Sequence, residues 1–283
     1  MRQVRIVTDS TSDIPAELQH TLNIHVVPLK VHFGAETYQD GVDMGSEAFF
    51  EKLVASHVLP TTSQPSPVEF LETFKRLAKE SDAPILSFHL SSALSGTYQS
   101  AILAQNMLEV PVDVTVIDSK LCSYGFGMHV VAAAEAAREG KSKDEIIQLV
   151  DRMREEMKLY FLVDTLEYLQ KGGRIGKAAA LLGSLLNIKP ILSMNAEGEV
   201  YSVDKVRGHK KAVARIVELL KRDFGDRPLQ IGIADANSKA GAEEFSLMME
   251  QHFNVKHQQL TQIGPVVGTH TGPGTVAVFV CPV

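Results

Sequence analysis

The sequence predicts an α/β protein of two domains, a parallel sheet with crossover helices over residues 1–160 and a mixed α/β domain over residues 161–283. Three observations carry that expectation. The chain has 283 residues, 45% of them hydrophobic, while single domains commonly use ~100–200 residues. In the first half, short β-branched runs alternate with longer helix-patterned ones, as parallel strands joined by crossovers require. The second half instead mixes a hairpin signal with buried strands and amphipathic helices.

Residues 4–8, 24–29, 85–88 and 112–117 have strand composition, and their alternation with helices makes this half Rossmann-like. Between them, Ser66-Pro67-Val68-Glu69 forms a capping box with proline at the first helical position. Phe70, Leu71, Phe74 and Leu77 follow at helical spacing. A second box, Ser142-Lys143-Asp144-Glu145, opens a helix with Ile146, Val150, Met153 and Met157 on one face. Residues 159–163 return to strand composition before Gly172, Gly173 and Gly176, which places the domain boundary near residue 160. Beyond it, residues 176–186 read as a small-and-apolar helix, and residues 190–194 and 200–206 as strands around a turn at 195–199. Residues 209–224 read as an amphipathic helix, and 230–234 and 275–280 as buried strands.

Charged residues make up 22% of the chain and the net charge is −6, which argues against a nucleic-acid partner. No apolar run approaches the ~20 residues of a spanning helix, and the opening residues enter a strand pattern, so a soluble cytoplasmic protein is expected. Cys122 and Cys281 lack metal-ligand or CxxC spacing and read as reduced, buried thiols.

Four polar clusters interrupt the apolar elements. Thr8-Asp9-Ser10-Thr11-Ser12-Asp13 follows the first strand, and short side chains there satisfy helix N–H groups as readily as they hold a ligand. Pro60-Thr61-Thr62-Ser63-Gln64-Pro65 precedes the first capping box; one cap needs one oxygen, so the serial hydroxyls suggest anion binding. Leu90-Ser91-Ser92-Ala93-Leu94-Ser95-Gly96-Thr97 opens a helix, whose N–H groups carry partial positive charge suited to a carboxylate. Gly264-Pro265-Val266-Val267-Gly268-Thr269-His270-Thr271-Gly272-Pro273-Gly274-Thr275 offers close backbone approach and a histidine away from any apolar face. Among Lys171, Arg174, Lys177, Lys205, Arg207, Lys210 and Lys211, Arg174 lies in a glycine-rich turn best able to approach an anion. The P-loop, GxGxxG, GxSxG and HExxH patterns are absent, so residue chemistry alone reaches an anion-binding protein of two α/β domains.

In order along the chain, these clusters together with Asp118-Ser119-Lys120, Leu169-Gln170-Lys171-Gly172-Gly173-Arg174-Ile175, Lys189-Pro190-Ile191-Leu192 and Gly264-Pro265-Val266-Val267 resemble the DegV family over nearly the whole chain. The resemblance implies a two-domain α/β protein that buries one long-chain fatty acid in an apolar tunnel and holds its carboxylate near the domain interface. It further implies presentation of the acid to a separate ATP-dependent fatty acid kinase subunit in phospholipid metabolism, with no catalysis, metal or cofactor of its own. Carried over residue by residue, the carboxylate ligands are Thr62, Ser63 and Ser92, with Arg174 and His270 near the head group. Ala93 departs from the pattern, since relatives often have glycine there, and this bears on the backbone geometry beside Ser92.

Two other readings compete. A stand-alone phosphotransferase using residues 268–274 needs an acidic metal-binding pair, and a hydrolase using Ser92 with His270 needs a base oriented on the serine. A regulatory protein that carries lipid incidentally would dock through an exposed surface, for which Arg207, Lys210 and Lys211 are the candidate.

Overall fold

A computed structural model describes residues 3–56, 58–183 and 188–283. The chain runs β1 (Arg5–Asp9), a 3-10 turn (Ser10–Ser12), α1 (Ala16–Thr21), β2 (His25–Val27), β3 (Lys30–Phe33), β4 (Glu36–Gln39), α2 (Ser46–Ala55) and β5 (Thr61–Ser63). It continues through α3 (Pro67–Glu80), β6 (Ile85–His89), α4 (Thr97–Asn106), β7 (Val114–Asp118), α5 (Tyr124–Arg138), α6 (Lys143–Glu156), β8 (Lys158–Leu162) and α7 (Glu167–Lys171). A second 3-10 helix (Gly176–Leu181) leads to β9 (Ile188–Met194), β10 (Val200–Arg207), α8 (His209–Phe224), β11 (Pro228–Asp235), α9 (Lys239–His252), β12 (Asn254–Gln262), α10 (Pro265–Thr271) and β13 (Val276–Pro282).

Two main sheets result, as a two-domain α/β chain requires. The first, β2-β1-β6-β7, is parallel throughout. The second, β10-β9-β8-β13-β11-β12, is antiparallel except between β11 and β12. Both capping boxes form: the Ser66 and Ser142 hydroxyls accept from the backbone N–H groups of Glu69 and Glu145, whose carboxylates accept from the serine N–H groups. Phe70, Phe74 and Leu77 of α3 are wholly buried against Val7 and Ile85 of the parallel sheet. Apolar burial of this kind contributes ~25 cal/mol per Å2.

Alternation sorts the second sheet into two faces. Tyr160, Leu162, Val278 and Val280 pack against α8 and α9 through Ile216, Leu220, Phe245 and Met249. Leu159, Phe161, Ala277 and Phe279 turn the other way, into a core shared with Phe88, Leu90 and Phe126 of the N-terminal half. The space between the halves is therefore lined from both.

Three expectations are corrected. The apolar stretch at 176–186 is a 3-10 helix ending at Leu181, with only Ala178 buried within it. Gly176 at φ +52° and Gly183 at φ +78° break the helical path on either side of it. Ser184, Leu185 and Leu186 of that expected helix lie outside the described residues. The glycine-rich stretch at 264–272 folds as α10, with Pro265 at its start and Gly268 packed where a Cβ would meet the Phe50 ring at 2.7 Å. The hydroxyls at 61–63, expected only to precede the helix cap, belong to β5, which joins β3 and β4 in a small antiparallel sheet.

The β9–β10 turn crosses to the N-terminal half. Ser91 Oγ donates to the Gly198 carbonyl at 2.8 Å, and Gly198, at φ +80°, has room for no side chain because Ser91 Oγ would lie 2.0 Å from its Cβ.

Candidate ligand site

Between the two sheets lies a cavity of about 340 Å3, within the range of small-molecule pockets. Its walls are mostly apolar: Leu159, Phe161, Ala277 and Phe279 from the second sheet, Leu29 and Leu90 from the N-terminal half. The Cys122 thiol on the wall is pushed well above its ordinary range by burial and behaves as an apolar group.

The polar lining is contributed by segments that the fold brings together from distant positions. β5 supplies Thr62 and Ser63, with Gln64 following; the loop after β6 supplies Ser95; the turn after α7 supplies Arg174; α10 supplies His270. Thr62 Oγ1 and His270 Nε2 are 2.9 Å apart. Burial, followed by the nearby Arg174 charge, lowers the His270 pKa to about 4, so the ring is neutral at pH 7. Its Nδ1 is buried with no hydrogen-bond partner among the described residues. The ring fits there because residue 172 is glycine: a Cβ would lie 2.3 Å from Nδ1.

Arg174 Nε donates to the Leu94 carbonyl at 3.0 Å and Nη1 to the Gly172 carbonyl at 2.7 Å, tying the second half to the 91–96 loop. Among the described residues no carboxylate pairs with this guanidinium, whereas Lys171 pairs with Glu167 and Lys177 with Glu197 and Glu199. A half-buried cation without a counter-ion, beside a neutral imidazole and a hydroxyl, is a complement for an anion.

Of the expected ligands, Thr62, Ser63, Arg174 and His270 line the cavity and Ser92 does not. Ser92 N–H donates to Asp118 Oδ1 at 3.2 Å and its Oγ accepts from Lys120 Nζ at 3.3 Å. The tight turn that begins at Ser91, closed by Leu94 N–H and Ser95 N–H on the Ser91 carbonyl, carries Ser95 rather than Ser92 to the wall. Ala93 is exposed on that turn. Ser63 is partly committed, its Oγ lying 2.9 Å from His32 Nε2. Ser92 and His270 have separate partners and do not form a nucleophile–base pair. No group of three or more His, Cys, Asp or Glu side chains among the described residues is arranged to hold a metal ion. Lys205, Arg207, Lys210 and Lys211 are exposed.

The acidic residues of the first polar cluster build the seam behind the site. Asp9 Oδ2 lies 3.0 Å from His89 Nδ1 and accepts from Leu90 N–H, while Oδ1 accepts from Thr11. Asp13 accepts from Ser123 Oγ and from Gly264 N–H, and Asp40 accepts from Ser10 Oγ. Burial raises the Asp13 pKa well above the carboxylate range and takes Asp40 to about 7, with Asp9 adding repulsion to both. These bonds set the segment that carries Ile263, Val266 and Val267 onto the cavity wall.

The chain matches, over residues 3–283, the family model described as an uncharacterised protein of the DegV family. It belongs to the DegV family. A DegV domain-containing protein of Caldanaerobacter subterraneus subsp. tengcongensis is 39% identical over 282 residues, covering 99% of each chain. A Thermus thermophilus structure described as fatty acid binding of a DegV family protein is 36% identical, with a TM-score of 0.92 and 100% of both chains covered. The Bacillus subtilis structure described as DegV, a fatty acid binding protein, is 35% identical with a TM-score of 0.91, again over 100% of both chains. No helix among the described residues is long and apolar enough to cross a membrane.

Proposed function

We propose that this DegV-family chain binds one long-chain fatty acid, with its tail in the cavity and its carboxylate against Thr62, Ser63, Ser95, Arg174 and His270, and presents it to a separate ATP-dependent kinase subunit without transforming it. The observation that carries the reading is an apolar cavity whose polar lining holds a guanidinium with no carboxylate partner among the described residues. About 14 buried methylenes at ~0.8 kcal/mol each give a gross ~11 kcal/mol, ample to offset desolvation of one carboxylate that regains hydrogen bonds. The neutral His270 ring and the Thr62 hydroxyl supply polarity without competing charge. Relatives described as fatty acid binding proteins support the ligand class. The kinase subunit rests on the family resemblance and on the lack of a nucleophile–base pair between Ser92 and His270.

The same reading places the domain division near residue 160, where β8 enters the second sheet, and a cytoplasmic setting in keeping with two free cysteines. Mass spectrometry of lipid extracted from purified protein tests the ligand, one fatty acid per chain being expected. Protein that carries none and takes up neither added palmitate nor oleate sinks the proposal. For the partner, the lipid-loaded chain is mixed with candidate kinase subunits and ATP, and acyl phosphate is expected only when both proteins are present.

A further inference from the structure

β13, with Thr275 just before it, runs along one wall of the cavity. Thr275, Ala277 and Phe279 succeed one another on the cavity face at every second position. Thr275 belongs to the polar side, its Oγ1 donating to the carbonyls of Thr271 and Gly272 at the end of the helix that carries His270. Four residues further along, roughly 13 Å at strand rise, stands Phe279. The next residue on that face, Cys281, is off the wall, packed with Sγ against the Met153 carbonyl at 3.7 Å.

Two elements converge on the Phe279 ring. β8 places Leu159 directly opposite in register, and Leu159 is also on the wall. α5 closes from behind, where Gly125 lies so near that a Cβ would stand 2.8 Å from Phe279 Cδ1. The ring itself is 1% exposed and belongs to the core that contains Met153 and Met157.

We propose that Phe279, held by Gly125 and Leu159, is the stop that sets the longest acyl chain this protein accommodates. This rests on the fatty-acid reading above. A ring buttressed by two packed elements yields less than a free one, so methylenes beyond the stop find no space and gain no burial. Shortening the side chain opens the way toward Cys281; adding a methyl at residue 125 drives the ring into the cavity.

The test measures affinities of delipidated full-length protein for saturated acids from twelve to twenty carbons, with circular dichroism as the check on folding. Phe279→Ala is expected to raise the affinity for the twenty-carbon acid relative to the sixteen-carbon acid by about tenfold, the gain of roughly two buried methylenes. Gly125→Ala is expected to shift the preference the opposite way by a similar factor. Should Phe279→Ala lose its fold, Phe279→Leu moves the profile in the same direction by a smaller step. Wild-type protein that binds acids with a chain-length profile unchanged in the folded variants overturns the stop and leaves the fatty-acid reading standing. Wild-type protein that binds none of the acids overturns both.

Discussion

Replacing Arg174 by alanine tests the feature on which the proposed carboxylate site depends. The guanidinium uses two donors on the Leu94 and Gly172 carbonyls and, among the described residues, has no carboxylate partner. Hydrogen bonds to charged groups contribute ~1.5–3 kcal/mol, and half-burial of the residue places it toward the lower part of that range. A loss of ~2 kcal/mol is roughly a 30-fold rise in Kd. Because Arg174 also tethers the 91–96 loop, part of any loss is positional, and a neutral ligand separates the two contributions. Delipidated wild-type and Arg174→Ala proteins are titrated with palmitate and with hexadecanol, which share a tail and differ in head group. Palmitate is expected to weaken by about 30-fold while hexadecanol weakens by less than about threefold. Equal losses for both ligands would show that the guanidinium acts only as a tether, and the charge argument would be refuted.

Two further perturbations follow from the same geometry. Gly172→Ala places a methyl 2.3 Å from His270 Nδ1, so the ring must move and the Thr62 contact break; roughly tenfold weaker palmitate binding and a displaced His270 imidazole NMR signal are expected, and an unmoved signal would count against the contact. Asp40, raised to about 7 chiefly by burial, holds in the native state a proton that the unfolded chain gives up above about pH 4, so its contribution to stability falls as pH rises from about 4 through 7. That amounts to roughly 3 kcal/mol between about pH 5 and pH 8, a pH dependence that urea unfolding should find largely removed in Asp40→Asn; an equal pH dependence would contradict the assignment.

Signals that act locally were legible in the sequence. The capping boxes at Ser66 and Ser142, the β9–β10 hairpin and the amphipathic α8 depend on residues within a turn or two of one another, and each formed where the pattern placed it. The sheet of β3, β4 and β5 was not legible, because β5 is three residues long and its pairing with β3 reaches across some thirty positions. The apolar run after Gly176 misled for the converse reason: composition reports that residues are greasy, whereas burial depends on what lies opposite, and Leu182 faces solvent. At the site, the segments carrying Thr62, Arg174 and His270 stood out as polar interruptions. Choosing between Ser92 and Ser95 required the path of a turn, since three residues along a turn reverse the direction of a side chain.

The contact between Ser91 and Gly198 bears on time rather than on affinity. Leu90 and Leu94 flank one partner, Met194 and Val200 flank the other, and all four lie on the cavity wall, while Ser91 and Gly198 themselves do not. On the proposed fatty-acid reading, a cargo that parts the β9–β10 turn from the 91–96 loop breaks this bond together with the Arg174–Leu94 bond. Arg174 would then act on both how firmly a cargo is held and how often it is exchanged, whereas the Ser91–Gly198 bond would act on exchange alone.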